Sequence, residues 1–391
     1  MNPAILHTHI QYFINQNLRS DLSKLLFKGS PFQGITIQEL AGQIESKRKS
    51  KNKLPTWYAS KQIYYPHKLN IEQTSSEVTA RYKAGLISGK TLIDLTGGFG
   101  VDSYAFAKQF QKVIHCELNT ELSTIVQHNF KVLKATTIKC IAQDGIAYLQ
   151  QTEQRYDWVY IDPSRRSSSK QRVFLLKDCL PDIPQNLDIL FRFSNQIMVK
   201  ASPLLDISRA IDELTSVKEV HVVAVQNEVK ELLFILKKQY LGNITIKTVN
   251  ILKDTKQRFE ATFKHESKAR FSLPKTYLYE PNAAILKAGL FNEVSHQLNI
   301  YKLHLNSHLY TLDNCIDFPG RRFNILQVLP YKFKQFKKIF RNPKANITVR
   351  NFPETVAQIR KKTNLKEGGD TYLFFTTDMN GERIILICEK C

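Results

Sequence analysis

Long apolar runs are missing from this 391-residue chain. No window approaches the ~18 uninterrupted apolar residues of a membrane helix. The opening MNPAILHTHIQYF has no basic stretch followed by an apolar one, so no secretory signal is expected. Cysteine is scarce: six, scattered along the chain, fit a reducing cytosol better than a disulfide scaffold. Internal repeats and low-complexity tracts are lacking too. Acidic residues are outnumbered, 35 against 56 basic, for a net charge of +21. That imbalance points to a polyanionic partner, nucleic acid ahead of a membrane surface. A basic but inert surface is the bland alternative. With 42% hydrophobic and 23% charged residues, a mainly disordered chain is excluded.

The basic excess sits at the ends. Residues 1–70 hold ten Lys/Arg against three Asp/Glu, and residues 321–391 hold fifteen against six. The 250 residues between them carry only +5. A weakly charged centre with basic flanks suits chemistry in the middle and polyanion capture at both ends. The length suggests two or three domains at ~150 residues each.

Residues 1 to about 50 read as helices, one of them opened by Thr36 with Glu39 three residues on. From about 71 the pattern changes. SSEVTARYKAGLI reads as a helix, and TLIDLTG, KVIHCELN, TIKCIAQD, YDWVYIDPS, NQIMVKASP and EVHVVAVQ as strands. Helical stretches fall between them, and VKELLFILKKQ after them reads as a helix. This alternation predicts a doubly wound, mainly parallel α/β sheet. ITIKTVNIL and RFEATFKH are expected to close an edge in antiparallel fashion. Residues 266–320 read as a connector in which PNAAILKAGLFNEVSHQL is one helix, and His304 and His308 lie on another. Residues 321–391 read as a small β-α-β-α-β-β module.

The chemistry collects at strand ends. Asp94 ends a strand, and Gly97, Gly98 and Gly100 fill the turn after it. A nucleotide-like ligand binds at such a place, and glycine lets the backbone come close to it. Ser103 stands where a dinucleotide fingerprint would have its third glycine. Glu117 ends the next strand, twenty residues after Gly97, where an acid can accept bonds from both ribose hydroxyls. Gln143-Asp144-Gly145 ends the third and suits an adenine amine. Asp162-Pro163-Ser164-Arg165-Arg166 ends the fourth. Each has a plainer reading: Asp94 and Asp144 as helix caps, the glycines as a tight turn, Glu117 as a surface acid. Four in order along one sheet edge favour the functional one.

The run DLTGGFG is similar to the first motif of class I S-adenosylmethionine-dependent methyltransferases, and the likeness covers about 71–265. It implies a Rossmann-like sheet and cofactor contacts from Asp94, Thr96, Gly98, Gly100, Glu117, Asp144 and Gly145. The whole chain resembles a bacterial group of these enzymes with a THUMP-like C-terminal domain. EQTSSEVTARYKA, DPSRR, YEPNAAILKAG, DFPGR and VRNFPETVAQIRKK carry that closer likeness. It implies a helical N-terminal domain (1–70), the methyltransferase domain (71–265), a ferredoxin-like connector (266–320) and a small α+β THUMP-like module (321–391). It also implies methylation of nucleic acid, RNA first.

Asp162 is expected to orient the methyl acceptor, and Ser164, Arg165 and Arg166 to meet the substrate. In amino-methyltransferases a D/N-P-P-Y/F/W motif stacks an aromatic on the base; Ser164 and Arg165 replace that Pro and aromatic here. Internal salt-bridging is the plainer reading of the arginines. Ser75 or Ser76 bonds the cofactor's carboxylate or caps a helix. The serine-rich stretch 167–172 reads as a surface loop. Cys388 and Cys391, lacking a second pair, are not expected to bind zinc, and Cys140 and Cys179 are not expected as nucleophiles. Phe333, Phe336 and Phe340 read as core, and Lys332, Lys334, Lys337, Lys338, Arg360, Lys361 and Lys362 as exposed charge suited to RNA. The expectation is a cytoplasmic RNA-base methyltransferase that binds S-adenosylmethionine and RNA, with no metal. A methyltransferase of proteins or small molecules, a DNA methyltransferase, and a non-catalytic RNA-binding protein are its rivals.

Overall fold

The computed structural model describes residues 1–165, 175–332, 336, 339–340 and 342–391. Arg166, the 167–172 stretch, Phe333, Lys334, Lys337 and Lys338 lie outside them. The chain divides into two compact units: residues 1–218 with 232–242, and residues 219–231 with 243–391. No described helix is long and apolar enough to cross a membrane.

The first unit opens with helices α1 (Thr8–Gln16), α2 (Leu22–Lys28), α3 (Ile37–Lys53), α4 (Pro55–Ala59), α5 (Lys68–Gln73) and α6 (Glu77–Ala84). Thr36 caps α3 with the reciprocal Glu39 bond that its spacing predicts. Strands β1 (Gly89–Asp94), β2 (Phe110–Cys116), β3 (Ile138–Ile141) and β4 (Trp158–Ile161) then alternate with α7 (Val101–Phe106), α8 (Thr120–Val132) and α9 (Gly145–Gln151). A short antiparallel pair follows, β5 (Ser164–Arg165) with β6 (Cys179–Leu180). Next come α10 (Ile183–Phe193), β7 (Gln196–Ala201) and α11 (Ile207–Glu213); β8 (Val217–Val225) passes into the second unit at residue 219, and β9 (Glu228–Lys237) returns to the first from residue 232.

Within this unit the strands run in the order β9-β7-β4-β1-β2-β3. All neighbours are parallel except β7 and β9. The chain winds outward from β1 through β2 to β3, then returns to place β4 on β1's other side. The order therefore reverses between β1 and β4, and the crevice beyond their carboxyl ends is where such sheets bind ligands. The N-terminal helices share one apolar core with this sheet: Ile14, Leu40, Ile44 and Trp57 join Leu92, Val113 and Phe130. Buried side chains of this kind each contribute ~1.5–3 kcal/mol. Asn129 of α8 also exchanges two 2.9 Å hydrogen bonds with the backbone of Tyr64.

The second unit holds three strands in the order β11-β10-β8, from β10 (Thr245–Ile251) and β11 (Lys256–Thr262). The β10–β11 pair is antiparallel, as the sequence predicts. It also holds β12 (Arg270–Phe271), β13 (Tyr277–Pro281), α12 (Ala283–Ala288), α13 (Phe291–Gln297), β14 (Tyr301–Lys302), β15 (Tyr310–Leu312), β16 (Gly320–Pro330), β17 (Asn346–Arg350), a helix at Val356–Thr363, β18 (Thr371–Thr377) and β19 (Arg383–Lys390). Eight of these strands form a sheet in the order β12-β14-β15-β13-β16-β19-β18-β17. Leu278, Phe323, Phe374 and Leu386 pack one core against it, and Leu329, Phe336, Ile359, Phe375 and Ile385 another.

Three expectations fail locally. VKELLFILKKQ is strand β9, not a helix: its five consecutive apolar residues bury both faces of a strand within a sheet. PNAAILKAGLFNEVSHQL is two helices, parted at Gly289, whose φ of +72° ends α12. His304 and His308 lie on no helix, since residues 303–309 turn between β14 and β15.

Candidate active site

The turn after β1 is drawn tight by its own backbone. Gly97 N–H donates to the Cys116 carbonyl at 2.7 Å, and Gly100 N–H to the Gly97 carbonyl at 2.9 Å. Gly98 and Gly100 have φ of +54° and +78°. The glycines serve different ends. A Cβ on Gly97 would come within 2.2 Å of the His115 ring, and one on Gly100 within 2.5 Å of Phe130. A Cβ on Gly145 would meet the Leu95 carbonyl at 2.4 Å. These three let the protein pack against itself. Gly98 has nothing closer than 3.9 Å, so its open side can admit a ligand.

Asp94 lies fully buried below this turn. Its Oδ1 accepts the Thr96 N–H at 3.1 Å, and its Oδ2 the Ser103 hydroxyl at 2.6 Å. It thus ties β1 to α7. Burial pushes its carboxyl up to about 7, against both hydrogen bonds. His115, also fully buried, packs under Gly97 and is pushed by burial down to about 4, so it is neutral near pH 7. No motif marks His115 in the sequence.

Glu117 is half-buried at the end of β2. The N–H groups of Gly98 and Asn119 donate to its two oxygens, each at 2.8 Å. These bonds fix the carboxylate beside the open face of Gly98 and leave lone pairs for other donors. Asp144 does cap a helix: its Oδ1 accepts the Ala147 N–H at 2.8 Å at the start of α9. Ser76 caps α6. Ser75 instead donates to Asp102 Oδ2 at 2.8 Å and accepts from Lys83 Nζ at 3.0 Å.

Asp162 follows β4 directly across the switch point. Its N–H donates to Thr96 Oγ1 at 2.7 Å, which joins the β1 turn to the β4 end. Its Oδ2 is ion-paired with Lys200 of β7. Among the described residues, no hydrogen bond reaches Oδ1, and the side chain is 31% exposed. Behind it, the buried Asp102 accepts the Tyr160 hydroxyl at 2.7 Å and pairs with Lys83 at 3.1 Å. Burial raises the Asp102 carboxyl, but Lys83 and then Lys200 outweigh it and hold the group below its usual range. Lys200, Asp102 and Tyr160 are absent from the motifs, and Lys83, inside EQTSSEVTARYKA, has no role assigned by that motif. Ser164 is exposed at β5, and the backbone of Arg165 pairs with Cys179.

An open glycine beside a braced acid at the ends of β1 and β2, and a half-free carboxylate at the end of the adjoining β4, therefore gather at the switch point. No group of three or more His, Cys, Asp or Glu placed to hold a metal occurs among the described residues.

A family model described as RNA cap guanine-N2 methyltransferase matches residues 89–242. A ferredoxin-like domain model matches 277–319, and a THUMP-like domain model 320–390. No curated protein matches the chain. A presumptive methyltransferase from Porphyromonas gingivalis W83 has a crystal structure that superposes at TM-score 0.89 with 32% identity, over 99% of this chain and 98% of that one. A presumptive RNA methyltransferase from Pyrococcus horikoshii, 19% identical, aligns over 48% of this chain and 98% of its own at TM-score 0.33. On the full-length match and the domain models, the chain belongs to the class I methyltransferase family that carries a THUMP-like C-terminal domain.

Proposed function

We propose that this protein methylates a base in structured RNA, rRNA or tRNA, in the cytoplasm, with S-adenosylmethionine as donor. The observation that carries the reading is the pairing, at the ends of neighbouring strands β1 and β4, of an open Gly98 hydrogen-bonded to a braced Glu117 with a half-free Asp162. The bound cofactor supplies an electrophilic methyl group on its sulfonium. Glu117 has lone pairs for the ribose hydroxyls, Gly98 admits close approach, Gly100 lets the turn pack on Phe130, and Thr96 holds the turn to Asp162. Asp144 and Gly145 border the adenine side, and Asp94 supports the turn from beneath.

On the acceptor side, Asp162 Oδ1 can accept an N–H of an exocyclic amine, orient its lone pair and take its proton. An amine acceptor agrees with the guanine-N2 description of the matching domain model. Ser164, Arg165 and Arg166 are assigned to the substrate, for phosphate or for stacking on an unpaired base. The basic segments 1–70 and 321–391 are the RNA-holding parts, and 71–265 the methyltransferase domain, with 266–320 as connector.

The test is transfer of labelled methyl groups from S-adenosylmethionine into bulk RNA from cells lacking the gene. Wild-type RNA and the Asp162→Ala enzyme are the controls. Incorporation into deletion RNA alone, abolished by the variant, supports the reading. Cofactor binding without incorporation into any RNA overturns the choice of substrate.

A further inference from the structure

Strand β7 is buried along most of its length: Ile197, Met198, Val199 and Ala201 are all buried. A lysine in such a strand loses hydration that a valine or isoleucine would not need, so it requires a specific partner. Ile161 of β4 lies in register with Val199, which places the next residue of each strand, Asp162 and Lys200, side by side. Lys200 takes Asp162 Oδ2, and its side chain is only 12% exposed. Thr96 takes the Asp162 N–H. Asp162 is thereby held from two sides, through one carboxylate oxygen and its own backbone, and among the described residues no hydrogen bond reaches Oδ1. Lys200 also stands within electrostatic reach of Asp102, so charges alternate from Lys83 through Asp102 and Lys200 to Asp162.

We propose that Lys200 is a positioning residue for methyl transfer: its ammonium fixes the Asp162 carboxylate so that Oδ1 faces the methyl acceptor. This rests on the reading of Asp162 as the acceptor-side carboxylate. Lys200 acts through Asp162 and does not itself touch the substrate.

The test uses the full-length chain with Lys200→Met, Lys200→Gln and Lys200→Arg. Crystal structures of wild type and variants read the carboxylate directly, without any RNA. The Asp162 carboxylate should rotate in Lys200→Met and keep its place in Lys200→Arg. Kinetics read the consequence. Lys200→Met should lower kcat by about 100-fold, the cost of a misplaced reacting group. Its KM for S-adenosylmethionine should stay within about twofold of wild type, and Lys200→Arg should recover most of the loss. Lys200→Gln keeps a neutral donor one bond shorter and serves if the Met variant does not fold. An unmoved carboxylate, or a wild-type kcat in Lys200→Met, overturns the proposal. So does a loss of kcat, cofactor affinity and thermal stability together in all three variants, which marks a fold-holding ion pair. Wild-type enzyme that transfers nothing to RNA overturns the RNA reading instead, and the crystal structures still decide the role of Lys200.

Discussion

Two carboxylates at strand ends, one in each unit, meet their cations in opposite ways. Asp162 gives one oxygen to Lys200 and is 31% exposed. Glu280, in β13, gives both oxygens away and is 4% exposed. Arg321 Nε donates to one at 2.6 Å and Arg350 Nη2 to the other at 2.8 Å. Arg350 belongs to β17, the far edge strand, so the eight-stranded sheet must curl until that strand's end returns to β13. YEPNAAILKAG, DFPGR and VRNFPET therefore meet at one carboxylate. A saturated carboxylate locks; a half-saturated one can still take a partner. Among the described residues Glu280 has a cation on each oxygen, while Asp162 Oδ1 has no hydrogen-bond partner.

The sharpest break of this contrast is Asp162→Ala. Methyl transfer should fall by about 10²–10⁴-fold, the usual worth of a positioned proton acceptor, with S-adenosylmethionine affinity retained by calorimetry. Glu280→Ala should do the reverse. It strands two guanidinium groups and should cost about 3 kcal/mol in urea unfolding, the low end for a broken buried pair because both arginines are partly exposed. Its cofactor affinity should not change. A Glu280→Ala protein that unfolds like wild type would show that the carboxylate is no lock.

The glycine turn allows a finer cut within the first unit. Gly100→Ala must strain a φ of +78° and push into Phe130, so a loss of about 2 kcal/mol is expected in thermal unfolding. Gly98→Ala pays the positive φ alone, about 1 kcal/mol, since its Cβ meets nothing nearer than the Thr96 carbonyl at 3.9 Å. Its larger effect should be on cofactor affinity. Equal affinity losses in the two variants would remove the distinction between a packing glycine and a ligand-facing one.

Much of the first unit was legible because its chemistry is written in residue type and order. Gly98, Glu117 and Asp162 each follow an apolar run, and strand ends of a parallel sheet gather at one edge. Lys200 was not legible. It is one of 56 basic residues, and only the β4–β7 register shows which carboxylate it meets. His115 was invisible for a related reason: nothing in KVIHCELN says that a glycine turn will lie on its ring. The helix read into VKELLFILKKQ failed because a continuous apolar run has no period, and pairing with β7 decides it. In the second unit the motifs were visible, but their meeting at Glu280 depends on sheet curl, which no local pattern encodes.

A last test sets two buried titrating groups of the first unit against each other. Asp94 is raised from an ordinary 3.8 to about 7, so across that window the folded state holds a proton that the unfolded chain gives up. Its contribution to stability is full below the ordinary value and is lost as pH rises through about 7. His115 is lowered from 6.5 to about 4, so between those values the unfolded chain binds the extra proton. Its contribution is full above 6.5 and is lost as pH falls toward 4. The slopes are opposite, and each is at most about 1.4 kcal/mol per pH unit. As far as these two groups go, wild-type stability should be nearly flat between pH 4.5 and 6 in urea titrations, a window about 1.5 units wide. Asp94→Asn should leave the His115 slope, with stability rising with pH. His115→Gln should leave the Asp94 slope, with stability falling. If both variants remain as flat as wild type, neither group titrates from a buried state, and the glycine turn does not rest on a neutral histidine and a half-protonated carboxyl.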